Sequence, residues 1–137
     1  MSDVSKYTNV KVWIAGAATN LIAVILPIQK FLTIVVVMVV IDFITGIWAA
    51  LVRKEKIRSR TMQRTTIKIT VYLIALLTGH YIDVVFESII QIVYVLAGVI
   101  VLTEFKSVLE NLSDIVGYDL VEKFASKLPP PFNSLFK

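Results

Sequence analysis

The sequence predicts an all-α integral membrane protein, with three to four transmembrane helices arranged as hairpins and a C-terminal amphipathic helical extension. Three observations predict it. The chain is 57% hydrophobic and only 18% charged, with a mean hydropathy of +0.80, whereas about a quarter of residues are charged in soluble domains. At 137 residues it is a single domain by length, and a soluble domain of that size has too little interior to hide so many apolar side chains. The basic residues gather in one interval between apolar runs, which is the pattern of a membrane topology signal. That clustering gives no basis for a nucleic-acid partner; the lipid bilayer is the partner expected.

Four apolar segments follow in order, at residues 10–26, 31–52, 67–82 and 84–103. A helix needs about 20 residues to cross a hydrocarbon core of ~30 Å. The second and fourth are long enough, and the third is if it borrows a turn from its flanks. The first is short and holds Asn20 and the small residues Ala15-Gly16-Ala17-Ala18, which suit a short span or an interfacial helix. Lys6 and Lys11 could head a cleaved signal peptide, but the small residues precede the apolar stretch at 21–26 instead of following it. Pro27 disfavours helix through Leu26, so the first two segments are expected to form an antiparallel hairpin. The interval 53–68 carries Arg53, Lys54, Lys56, Arg58, Arg60, Arg64 and Lys68 against Glu55 alone, and the positive-inside rule places the loop 53–66 in the cytoplasm. His80, Asp83 and Glu87 mark an outward connection with no Lys or Arg, so the third and fourth segments form a second hairpin. Four spans put both termini in the cytoplasm; three put the N-terminus outside.

Beyond Thr103 the apolar residues Phe105, Val108, Leu109, Leu112, Ile115 and Val116 recur at helical spacing among charged ones, so the fourth helix continues amphipathically into a cytoplasmic tail, 104–137. Gly117 is a natural helix stop. A second short amphipathic piece at 120–128 ends at Pro129-Pro130-Pro131, which cannot continue a helix.

The run 33–52 contains one charge, Asp42, near its middle. A lone carboxylate there costs about 2.5–3.5 kcal/mol on insertion scales, so a compensating group is required. Along its helix Asp42 lies about 16 Å from Arg53. Lys68 follows soon after the basic loop and can reach along its stem, and Glu104 stands near the cytoplasmic exit of the fourth segment. An intramembrane polar network of Asp42, Lys68 and Glu104 is the arrangement expected, with Thr45 beside Asp42. Gly46, with Ala49 and Ala50, offers a close helix contact. The aromatics Trp13, Trp48, Tyr72, Tyr81 and Tyr94 are read as interface anchors or packing groups. With no cysteine and a single histidine, His80, the chain has neither a thiolate nor a multi-histidine metal site. Its scattered acids make no acid–base constellation, so no enzyme activity and no cofactor are expected.

Several of these elements together resemble one known family. Asp42-Phe43-Ile44-Thr45-Gly46 falls late in one span, Lys56-Ile57-Arg58-Ser59 in the basic loop, and Lys68 opens the next span. Glu104-Phe105-Lys106-Ser107-Val108-Leu109-Glu110-Asn111 leaves the last span, before Gly117 and a terminal proline. In this order, over about residues 40–130, the chain resembles the phage holin family associated with phage lysis and toxin secretion. Thr61-Met62-Gln63 stands where a glycine often follows the loop serine, and the tail after Gly117 is long. The resemblance implies a small multi-pass protein of the bacterial inner membrane that forms homo-oligomers and permeabilises it, releasing an endolysin or a toxin. It also makes Thr45, Gly46, Ser107, Glu110 and Asn111 candidates for assembly or pore lining. Two other readings fit the same residues: a small membrane anchor that recruits a soluble partner, and a small ion channel with Asp42 and Glu104 as cation ligands.

Overall fold

The computed structural model describes residues 2–55, 59–87 and 89–136, and the side chains of 10–55, 63–87 and 89–136. It is 87% helical, with no strand among the described residues. Helix α1 is Ser2–Ile25, followed by a 3-10 turn at Leu26–Ile28, and α2 is Gln29–Val52; α3 is Ser59–Phe86 and α4 is Ile92–Val116. The short α5, Leu120–Ala125, and a 3-10 turn at Phe132–Phe136 complete the chain. Three stretches are long and apolar enough to cross a membrane: Val10–Val52, Gln63–Phe86 and Ile92–Val116. The first has 43 residues, about 65 Å of helix, roughly twice what one crossing needs. Its second part, α2, is sufficient alone.

Helices α2, α3 and α4 form a bundle. The ring of Phe31 meets Tyr94 edge-on at 4.7 Å near the starts of α2 and α4, and Arg53 pairs with Asp114 near their ends. These two helices are therefore parallel, and α3 runs antiparallel to both. The core consists of Ile28, Val35 and Val39, Leu76 of α3, and Val93, Ala97 and Ile100 of α4. On α4 the buried stripe continues through Glu104 and Val108, at the spacing of a single helix face. At Gly79 α3 lies close against α4: a Cβ there would stand 2.7 Å from Leu96 Cδ1 and 3.3 Å from the Val93 Cα.

Three boundaries differ from those the sequence suggests. The first two segments do not fold into a hairpin. Ile25 and Gln29 keep right-handed helical dihedrals on either side of the 3-10 turn, and Pro27 sits in the first turn of that element, where its missing N–H breaks no helical bond. Helix α1 thus carries on from α2 without packing back along it, and its residues 10–23 are exposed. The connection between α3 and α4 falls after Phe86 and before Ile92, not between segments ending at 82 and beginning at 84. Asp83 belongs to the last turns of α3, and its carboxylate accepts the Ile92 and Val93 N–H groups at 2.7 and 2.9 Å, filling orphan donors at the start of α4. Because the fourth helix begins eight residues later than 84, Glu104 falls in mid-helix and not at its exit. The basic loop is also shorter than 53–66, since α3 starts at Ser59 and takes in Arg64. Lys56 and Arg58 lie outside the described residues, as does the side chain of Arg60.

Candidate functional site

The middle of the bundle brings Asp42, Lys68 and Glu104 together. The Lys68 ammonium donates to Asp42 Oδ2 at 2.9 Å and to Glu104 Oε2 at 3.0 Å. Each carboxylate then has one oxygen left. Asn111 Nδ2 donates to Asp42 Oδ1 at 3.0 Å, and the Tyr72 hydroxyl donates to Glu104 Oε1 at 2.5 Å. Among the described residues no buried side-chain nitrogen or oxygen lacks a partner. This is the condition under which buried charge is tolerated, because an ion removed from water must recover its lost hydration from fixed donors.

Each helix supplies its members by simple spacing. Lys68 and Tyr72 are four residues apart on α3, hence on one face. Glu104 and Asn111 are seven apart on α4, two turns along the same stripe. On α2, Thr45 donates to the carbonyls of Ile41 at 2.9 Å and Asp42 at 3.1 Å and accepts from Asn111 Nδ2 at 3.2 Å. Gly46 leaves room for the same amide, since a Cβ there would lie 3.4 Å from Asn111 Nδ2. Glu104 is fully buried, the Asp42 side chain is 17% exposed and that of Lys68 is 35% exposed. The cluster is closed on the α4 side and opens along the lysine stem.

Of the assembly candidates, Thr45, Gly46 and Asn111 meet at this cluster within one chain. Ser107 and Glu110 take no part in it; Ser107 is half-buried and Glu110 is exposed. Arg53 pairs with Glu55 at 3.1 Å and with Asp114, tying the end of α2 to the last turns of α4. Tyr72, which the sequence presents as an interface anchor or packing group, belongs to the cluster through its hydroxyl, and its spacing of four residues from Lys68 is the signal that points there. The Asp114 partner of Arg53 and the close crossing at Gly79 left no comparable mark. Among the described residues no three metal-ligating side chains stand together.

Three long apolar helices around a charged, fully hydrogen-bonded centre define a multi-pass α-helical membrane protein. A family model for the bacteriophage holin family matches residues 19–128, which takes in the end of α1, the whole bundle and α5. The chain belongs to that family, a family of non-enzymatic membrane proteins tied to phage lysis. No curated protein and no solved structure matches it.

Proposed function

We propose that this holin-type protein accumulates in the bacterial inner membrane, self-associates and opens it, so that an endolysin or an exported toxin can pass. The observation that carries the reading is the closed polar cluster of Asp42, Lys68, Glu104, Tyr72 and Asn111. Among the described residues one copy satisfies all its buried side-chain polar groups internally, and its helices are too few to ring an opening for a folded protein, so several copies with polar surfaces turned to water are needed. Asp42, Lys68 and Glu104 hold each bundle in its shape, with Thr45, Gly46 and Asn111 fixing the helix contact. Ser107 and Glu110, which lie off the cluster on α4, are the residues left to line an opening or meet a neighbouring copy. The basic residues from Arg53 to Arg64 keep that end of the bundle in the cytoplasm.

The test is inducible expression in a bacterium, following membrane potential and release of a co-expressed cytoplasmic endolysin together. Loss of potential with endolysin release is the expected result, altered in timing by Asp42→Ala. An intact potential at verified membrane insertion would contradict the reading and favour the anchoring role. Selective ion flux without endolysin release would favour the channel.

A further inference from the structure

We infer that the C-terminal segment 118–136 lies in the membrane itself, at the boundary of headgroups and acyl chains in the leaflet next to the basic loop, and is not a free cytoplasmic tail. The inference rests on reading α2 as a membrane span, as the proposed function does.

Depth along the bundle carries it. Asp42 is held from one side by Asn111 and, through Lys68, is tied to Glu104, so residues 104–111 of α4 are level with the middle of α2. The rest of α2, through Val52, is apolar apart from Thr45, and Ile44, Trp48 and Leu51 are 57%, 57% and 59% exposed. That surface needs lipid, and it extends about 15 Å past Asp42. Phe105 is therefore at lipid depth, nine residues or about 13 Å along α4 from Asp114. Its ring nevertheless touches the tail: it meets Phe124 edge-on at 5.4 Å and Phe136 at 6.4 Å, and those two meet at 5.1 Å. After Gly117, in the left-handed conformation at φ 78°, the chain has turned back along α4 towards the membrane.

The chemistry of the segment fits that position. It folds beside the polar side of α4 across an open cleft of about 660 Å³, with Lys106, Glu110 and Ser113 on one wall and Asp119 and Phe136 on the other. Facing away, Phe132 and Leu135 are 56% and 57% exposed. They are three residues apart in a 3-10 turn, which puts them on one side. Lys123 and Lys127 are exposed and long enough to reach the headgroups while their stems cross apolar surface. Asp119 and Glu122 offset their charge within the segment, and the excess positive charge that draws anionic headgroups to this leaflet is that of the basic stretch 53–64. The partner is thus an anionic phospholipid leaflet, with acyl chains against Phe132 and Leu135.

The chain has no cysteine, so single labels are clean. Phe132→Cys, Leu135→Cys, Ser126→Cys and Ile44→Cys would each carry an environment-sensitive fluorophore in the full-length protein, in vesicles of mixed zwitterionic and anionic phospholipid. Quenchers are a lipid with a nitroxide near the top of its acyl chain and aqueous iodide. Labels at 132 and 135 should lose most of their fluorescence to the nitroxide lipid and little to iodide, with the reverse at 126. Iodide quenching at 132 and 135 equal to that at 126 would overturn the proposal in favour of a water-exposed tail, and protection from both quenchers would overturn it in favour of a protein covering that face. Failure of the nitroxide lipid to quench the label at 44 would overturn the span reading of α2 first, and the tail proposal with it.

Discussion

Helices α1 and α2 are alike in length, 24 residues each, and both contribute to one long apolar stretch, yet α2 is packed and α1 is not. The difference lies in their polar groups. In α1 the hydroxyl of Thr19 donates to the Ala15 carbonyl and the amide of Asn20 to the Gly16 carbonyl, both at 2.9 Å. These side chains satisfy themselves on their own helix. In α2 the Asp42 carboxylate can only be satisfied from outside, by Lys68 of α3 and Asn111 of α4. In lipid, apolar side chains have no reason to prefer one another over acyl chains, so polar contacts and close packing decide which helices associate. The bundle forms around the residues that cannot be left alone.

Substitutions break that contrast in graded ways, measured as reversible unfolding in lipid or mild detergent. Lys68→Ala should cost most, about 3 kcal/mol or slightly more, because Asp42 and Glu104 lose their shared cation; partial exposure of the lysine places it at the lower end for a broken buried pair. Asn111→Ala removes the donor to Asp42 and Thr45 and should cost about 1.5–3 kcal/mol, as for hydrogen bonds to charged groups. Gly79→Ala should cost about 1–2 kcal/mol, since the added Cβ meets the movable end of Leu96 but also the Val93 backbone. Asn20→Ala, on the unpacked helix, should change stability by less than about 0.5 kcal/mol. A loss at Asn20 as large as that at Asn111 would erase the distinction between the two helices.

What could be read from the sequence follows the same division. The bilayer requires a partner for each buried charge, so Asp42, Lys68 and Glu104 could be matched across 62 residues of chain without coordinates. Helix ends obey weaker constraints. The amphipathic stretch after Thr103 reads as chain leaving the membrane, whereas it runs beside α2 as far as the Arg53–Asp114 pair, with the tail folded next to its polar side across an open cleft. Asp83 reads as a loop residue because it is charged, but that charge caps the next helix from within α3. Pro27 reads as a chain reversal, but a proline in the first turn of a helical element bends the path without reversing it. The phenylalanine cluster of 105, 124 and 136 joins residues whose spacing shows no period.

The most direct test of the central claim is a double-mutant cycle on Lys68 and Glu104, comparing Lys68→Met, Glu104→Gln and the double variant by unfolding in the same lipid. The account predicts a favourable coupling of about 1–3 kcal/mol, because Lys68→Met strands the buried Glu104 carboxylate, whereas in the double variant Glu104→Gln has removed the charge that needs the ammonium. Additive effects would contradict it and leave the bundle held by packing alone.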